Sequence, residues 1–173
     1  MTLPLPFTPR ARRLIVNAMA FEAGWLVCVL GGSSVALVAG PALIGWHLWR
    51  TAGPGEWRLV VGFALAGLFI DGGLTLAGGF TFHRPGAHGT MPDAWPLPLW
   101  LWMLWPLFAT LVRHSLSWLW PYPWLATCCG AAGAALSYYG GSVLARVTLA
   151  PWLVPAEALA WGLVCALLAR QRP

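Results

Sequence analysis

The fold is decided by residues 14–49, LIVNAMAFEAGWLVCVLGGSSVALVAGPALIGWHLW, a segment with a single charged side chain, Glu22. As one helix, these 36 residues would measure about 54 Å, whereas the hydrocarbon core of a bilayer is about 30 Å thick. The stretch GGSS at 31–34 divides the segment near its middle. The sequence therefore predicts two membrane-spanning helices, 14–31 and 33–49, joined by a tight turn.

The rest of the chain has the same apolar character. Hydrophobic residues make up 59% of the 173 positions and charged residues only 9%, with a mean hydropathy of +0.70. A soluble domain carries about 25% charged residues. The 13 tryptophans also suit a membrane protein, because tryptophan is enriched at membrane–water interfaces. We predict one all-α integral membrane domain over residues 1–173, a polytopic transmembrane bundle with spans at 14–31, 33–49, 58–80, 96–119, 123–145 and 151–169.

The distribution of arginine predicts the topology, since the chain contains no lysine. With six spans and a cytoplasmic N-terminus, eight arginines lie on the cytoplasmic side: Arg10, Arg12, Arg13, Arg50, Arg58, Arg113, Arg170 and Arg172. Only Arg84 and Arg146 lie outside, whereas five spans would divide the ten arginines equally. The positive-inside rule favours six spans, two cytoplasmic termini and a periplasmic loop at 81–95. Because the arginines lie at the ends of apolar segments and not in a patch with aromatic residues, we expect no nucleic-acid partner.

Polar side chains inside the spans are the candidates for function, because each costs a few kcal/mol at the bilayer centre unless it faces protein or water. Asp71, His114 and Tyr138 are the candidate catalytic residues, since an acid, an imidazole and a phenol together could transfer a proton or bind a polar head group. The candidate ligand-binding residues are Asn17, Glu22, Ser115 and Ser137. The alternative for Asp71 is a buried structural acid that fixes helix packing. Arg113 either extends to the cytoplasmic interface or pairs with Asp71 or Glu22.

Two weaker patterns complete the set of candidates. The small residues Gly130, Gly133, Ser137 and Gly141 predict close packing against another helix. His83, His88 and Asp93 form no HxxxH or HExxH pattern, and His47, beside Trp46, is interpreted as interfacial. The sequence therefore predicts no metal site and no cofactor.

Four segments, in order along the chain, resemble the DUF2878 family of small bacterial inner-membrane proteins. They are VNAMAFEAGWLVCVLGG (16–32), IDGGL (70–74), LWLWMLWPLFATLVRHSLSWL (99–119) and GAALSYYGG (133–141). Arg113 stands where an asparagine is common in that pattern. The resemblance implies a multi-span inner-membrane protein of bacterial origin. Members of the family often look to be encoded near lipid-modifying enzymes such as cyclopropane-fatty-acid-type methyltransferases, which implies a role with membrane lipids.

Three classes of function remain open on the sequence. The first is a lipid-linked membrane protein, either an enzyme or an accessory subunit, with a polar pocket formed by Asn17, Asp71, His114 and Tyr138. Its expected partners are membrane lipids and a lipid-modifying enzyme or another membrane subunit. The second is a small proton-linked transporter that uses Asp71 and His114. The third is a structural or assembly subunit whose polar residues only hold helices together.

Overall fold

The computed structural model describes residues 8–82 and 97–171, and it is almost entirely helical. The elements are α1 (Pro9–Arg50), α2 (Trp57–Leu76), β1 (Phe80–Phe82), α3 (Leu99–Val112), α4 (Pro123–Ala145), β2 (Val147–Leu149) and α5 (Leu153–Gln171). In these residues α1, α2 and α5 are long and apolar enough to cross a membrane, and α3 is apolar but shorter. Many large apolar side chains are exposed on the outer faces of the helices, as expected of a surface covered by lipid.

Helix α1 is a hairpin of two arms, residues 9–31 and 33–50, which are separated at Gly32. Gly32 has φ 70° and ψ −168°, a backbone conformation that is open to glycine and strained for other residues. The side chains of Asn17 and His47 lie 3.5 Å apart (Nδ2 to Nδ1), although a continuous helix would separate these positions by about 45 Å. The chain therefore folds back on itself at Gly32, which confirms the turn predicted at GGSS.

Helix α3 occupies the interior, with 11 of its 14 residues buried. It packs against α2 and against both arms of α1, where Leu107 lies beside Gly24 and Met103 lies beside Gly40. Trp105 of α3 stacks on Trp161 of α5 with ring centroids 4.3 Å apart, which connects α3 to the antiparallel pair formed by α4 and α5. The core is thus built around aromatic side chains of α3.

Helix α3 is shorter than the predicted span at 96–119. It begins at Leu99 and ends at Val112, and residues 113–121 form consecutive turns. Directly after Arg113, His114 and Ser115 direct their side chains to partners beside α2 and on α1. The helix ends here because the His114 and Ser115 side chains reach their hydrogen-bond partners only if the chain bends toward those partners. A helix of 14 residues is about 21 Å long, less than the thickness of the hydrocarbon core.

A two-stranded antiparallel sheet, which the sequence did not predict, follows α2 and α4. Phe80 pairs with Leu149, and Phe82 pairs with Val147. Arg146 ends α4 in the left-handed conformation and so turns the chain into β2. The predicted periplasmic loop at 81–95 lies outside the described residues from position 83 onward, and so do Arg84, His83, His88 and Asp93.

Candidate functional site

A cavity of about 510 Å³ separates the first arm of α1 and α3 from α4 and α5. Its volume lies within the range of about 300–1,000 Å³ that is usual for ligand pockets. Most of the wall is aliphatic or aromatic, with Phe21 and Trp25 on α1 and Phe108 on α3 among the lining side chains. Leu136 of α4 lines the cavity and is 73% exposed. The cavity therefore opens between helices whose outer faces are apolar.

Glycine residues of α4, which have no side chain, help to form this cavity. No described atom lies within 4 Å of the position that a Cβ would take at Gly133, and Gly133 lines the cavity. Gly130, one turn earlier, lies against α5, where a Cβ would come within 2.8 Å of the carbonyl oxygen of Trp161. The predicted small-residue face is therefore divided, because Gly130 makes a close contact with α5, a Cβ at Gly141 would lie 3.6 Å from Trp25 of α1, and Gly133 borders open space.

Asp71 and Tyr138 meet in the interior, at the wall of the cavity. The Tyr138 hydroxyl lies 2.8 Å from Asp71 Oδ1 and 2.9 Å from Oδ2, and donates its hydrogen to the carboxyl group. Trp161 Nε1 donates to the Tyr138 oxygen over a longer 3.5 Å. Asp71 is completely buried, whereas the phenol ring of Tyr138 lines the cavity. Thus α2, α4 and α5 are joined by one polar cluster around an acid.

Glu157 of α5 is the member of this cluster that the sequence did not predict. It is fully buried, and its carboxyl group lies near enough to Asp71 and Tyr138 to interact with both electrostatically. Neither of its oxygens has a hydrogen bond of normal geometry to a described residue. Among residues 8–82 and 97–171, no ion pair compensates either of these two acids. A carboxyl group inside an apolar span, LVPAEALAWGLVCAL, was the signal that could have revealed Glu157.

His114 lies elsewhere, which corrects the prediction that grouped it with Asp71 and Tyr138. Its Nε2 is 3.0 Å from Glu56 Oε1 and 3.2 Å from Oε2. Glu56 immediately precedes α2, and Asp71 lies fifteen positions later, which corresponds to about 22 Å along a helix. The physical reason is the early end of α3, because the turn at residue 113 directs His114 toward the start of α2.

A second buried cluster therefore forms at this end of the bundle. His47 Nε2 lies 2.8 Å from the same Glu56 Oε1, and the rings of His47 and His114 meet edge to face with centroids 4.8 Å apart. Thr51 Oγ1 lies 2.9 Å from His47 Nδ1, on the other side of the ring. Glu56 is only 1% exposed. The three side chains come from the second arm of α1, the residue before α2 and the turns after α3.

Several donors act on the Glu56 carboxylate. The backbone N–H of Gly53 donates to Oε2 over 2.9 Å. Burial alone would raise the pKa of Glu56, but the hydrogen bonds from His47, Gly53 and His114, together with the charge of His114, lower that pKa from 4.5 to about 2. The carboxylate is therefore held in its charged form at neutral pH.

Asn17 and Ser115 form a hydrogen-bonded network beside the cluster of His47, Glu56 and His114. Asn17 Nδ2 donates to the carbonyl oxygen of Thr110 over 3.1 Å, and its Oδ1 accepts from both the backbone N–H and the hydroxyl of Ser115. The Ser115 hydroxyl also lies 2.9 Å from the carbonyl oxygen of Leu14. These two predicted ligand-binding residues thus lie together, and their contacts join the first arm of α1 to the end of α3.

The two remaining predicted ligand-binding residues border the cavity. Glu22 is exposed on the first arm of α1 and lines the cavity. Ser137 accepts a hydrogen bond of 3.0 Å from Trp25 Nε1, and this contact crosses from α4 to α1. Arg113 donates to the carbonyl oxygen of Pro54 over 3.3 Å and forms an ion pair with neither Asp71 nor Glu22. Of the two alternatives for Arg113, the structure therefore favours a position at the end of the bundle.

Comparison with protein families gives a match over most of the chain. A family model described as "Protein of unknown function (DUF2878)" matches residues 14–167, nearly the whole chain. No curated protein and no solved structure matches the chain.

Proposed function

The chain belongs to the DUF2878 family of proteins of unknown function, and from that premise we propose that it is an inner-membrane protein that holds the acyl chain of a membrane lipid in its cavity. In this role it serves lipid modification, as an enzyme or as an accessory subunit that presents the lipid to a partner. The observation that carries the proposal is the cavity between α1, α3, α4 and α5, about 510 Å³ in volume.

The composition of the wall supports an acyl chain over a polar ligand. The wall is largely aliphatic and aromatic, and it borders helices with apolar outer faces. A hydrocarbon chain enters such a cavity without leaving polar groups unpaired. Glu22, on the exposed face of α1, is a polar group at the wall that a lipid head group would meet. Asp71 and Glu157 lie behind Tyr138, so two carboxyl groups that can hold or release a proton lie next to the bound acyl chain.

The proposed topology has six membrane spans and two cytoplasmic termini. The two arms of α1 count as separate spans because the chain reverses at Gly32. Arg113 contacts the connection between α1 and α2, and Ser115 contacts the first arm beside Leu14. The arginine-bearing segments at 10–13, 50–58 and 113 thus gather at one end of the bundle, which supports a cytoplasmic assignment for that end.

A matched pair of substitutions on α4 tests the cavity. Gly133→Leu fills the cavity, since its Cβ meets no described atom within 4 Å. Gly140→Leu adds the same side chain to the same helix, also without a described neighbour within 4 Å, but outside the cavity. Each protein is purified in mild detergent, and the co-purifying lipid is measured by native mass spectrometry.

We expect lipid to co-purify with the wild type. In Gly133→Leu the amount of bound lipid should fall roughly tenfold, which corresponds to about 1.4 kcal/mol of lost affinity. Gly140→Leu should retain the wild-type amount. Equal lipid content in all three proteins, or no lipid in the wild type, would refute the proposal. A photoactivatable acyl chain should also label peptides from α1 and α4 in the wild type and lose that labelling in Gly133→Leu.

Fusions to the C-terminus test the topology. Green fluorescent protein joined after residue 173 should fluoresce, because that end is proposed to be cytoplasmic, and alkaline phosphatase at the same position should be inactive. The reverse pattern would overturn the six-span assignment. In the cell, lipid analysis of a deletion strain should show an altered acyl-chain composition that the wild-type chain restores and the Gly133→Leu variant does not.

A second candidate, a proton-linked transporter, is favoured by one observation. Asp71 and Glu157 are two buried acids without a described counter-ion, an arrangement that occurs on proton pathways through membranes. In proteoliposomes, a proton flux that requires Asp71 and is unaffected by Gly133→Leu would support this function in place of lipid binding.

A further inference from the structure

A cluster of two histidines and one glutamate lies at the arginine-rich end of the bundle, away from the cavity. We infer that His47, Glu56 and His114 bind one divalent transition-metal ion of the zinc class. The inference does not depend on lipid binding, because none of the three residues lines the cavity.

The spacing of the donor atoms fits a metal ion. One ligand atom from each residue lies within 4.8 Å of the other two. The two histidine Nε2 atoms lie 2.8 and 3.0 Å from Glu56 Oε1. Around a tetrahedral Zn²⁺ with bonds of about 2.0–2.1 Å, neighbouring ligand atoms are about 3.3 Å apart. An ion can therefore replace these hydrogen bonds if each histidine Nε2 moves a few tenths of an ångström away from Glu56 Oε1 and any pair of ligand atoms near the 4.8 Å limit moves closer together.

The groups behind the ligands hold them in position. Thr51 Oγ1 lies 2.9 Å from His47 Nδ1, which leaves Nε2 directed at Glu56. The N–H of Gly53 holds the Glu56 carboxylate from the other side. A histidine that binds a metal usually engages its second ring nitrogen in this way, and such contacts orient the ligand. The cluster thus has both a ligand set and supporting contacts.

The chemistry of the ligands selects the ion. Two imidazoles and a carboxylate suit Zn²⁺ and its neighbours in the first transition row, whereas Mg²⁺ and Ca²⁺ prefer oxygen ligands alone. Three protein ligands leave the fourth tetrahedral position for water or a substrate, as at catalytic zinc sites. Glu56 and His47 are almost fully buried, but the His114 side chain is 22% exposed, so the site is open on the side of His114.

The test uses the full-length protein in detergent, stripped with EDTA and titrated with Zn²⁺ alone. Competition against a chromophoric chelator should give about one Zn²⁺ per chain, with an affinity in the micromolar range or tighter. Glu56→Gln and His114→Gln should each weaken binding at least about a hundredfold, since loss of a group behind a ligand already costs about 10–100-fold. The matched control is the double variant His83→Gln, His88→Gln, which removes the other two histidines of the chain and should bind Zn²⁺ like the wild type.

Three outcomes would overturn the inference. They are no stoichiometric Zn²⁺ in the wild type, loss of binding in the His83, His88 control, and unchanged binding in both cluster variants. If a cluster variant fails to fold, the Co²⁺-substituted wild type decides. Nitrogen and oxygen ligands give only visible d–d bands, whereas a thiolate charge-transfer band would point to Cys128 and Cys129, which are exposed. The lipid measurement is made in EDTA, so either proposal can fail while the other stands.

Discussion

Removal of one hydroxyl group at Tyr138 should destabilise the protein measurably. Tyr138→Phe keeps the ring that lines the cavity but deletes the donor that lies 2.8 and 2.9 Å from the Asp71 carboxyl oxygens. Water cannot replace that donor, since Asp71 is completely buried. A buried polar group without its partner costs about 1–3 kcal/mol. Hydrogen bonds between membrane helices average about 0.6 kcal/mol, with a maximum of about 1.7.

Because Asp71 is completely buried, we expect the energy of this hydrogen bond to lie near the upper end of the range for hydrogen bonds between membrane helices. We therefore expect the free energy of unfolding to fall by about 1.5 kcal/mol, close to a tenfold change in the unfolding equilibrium. A double-mutant cycle with Asp71→Ala, measured by reversible unfolding in mixed micelles, should give a coupling energy of about 1 kcal/mol. Lipid content should not change, because the shape of the cavity is preserved.

The neighbouring residue supplies the control. Tyr139 is 64% exposed on the outer face of α4, so Tyr139→Phe should change stability by less than about 0.5 kcal/mol. The reasoning is refuted if the coupling between Tyr138 and Asp71 falls below about 0.3 kcal/mol, the error of such a cycle. It is also refuted if Tyr138→Phe and Tyr139→Phe unfold alike.

Three further predictions concern other contacts. Gly67→Ala should lower the melting temperature, because its Cβ would overlap the buried Trp105 ring at a cost of about 1–3 kcal/mol. The control for Gly67→Ala is Gly62→Ala, which has no described neighbour within 4 Å. Its stability should be unchanged or rise by up to about 1 kcal/mol, because alanine has the higher helix propensity. The pKa of Glu56 is lowered to about 2 in the folded state, so the charged carboxylate stabilises the metal-free protein fully above about pH 4.5. As pH falls to 2, the free energy of unfolding should drop by about 3 kcal/mol. Acid titration of Glu56→Gln should not show this pH dependence of stability. Asn17→Ala removes a donor and an acceptor that join α1 to α3, so melts should show a loss of about 1–3 kcal/mol.

The elements whose ends are marked locally were predictable from the sequence. The helix at 123–145 was predicted with the bounds that α4 has, because Pro123 can begin a helix and the apolar run ends beside Arg146. The reversal at GGSS followed from length, since no single span can hold 36 residues. The contact between Asp71 and Tyr138 followed from the cost of an acid in lipid, which leaves an inward partner as the stable solution.

The cluster of His47, Glu56 and His114 was not predictable in this way. His114 lies 58 positions after Glu56, and no ligand spacing on one helix connects the three residues. Each also had a plausible local explanation, since His47 lies beside Trp46 and Glu56 follows a glycine in a short polar connection. Only the early end of α3 brings His114 to the others. The C-terminal end of α3 is set by tertiary contacts with α1 and with the residues beside α2. The hydrophobic periodicity of the sequence gives no information on such contacts.

The reversal at Gly32 also sets an order of events during synthesis. The contact between Asn17 and His47 needs only the first fifty residues, so the α1 hairpin can close before α3 is complete. Thr110 and Ser115, the other partners of Asn17, emerge later. At about 5–20 residues per second, the 68 residues from position 47 to position 115 take roughly 3–14 s. His47 has Thr51 and Glu56 as early partners, but the Asn17 amide lacks its partners until then, so α3 packs against a hairpin that has already formed.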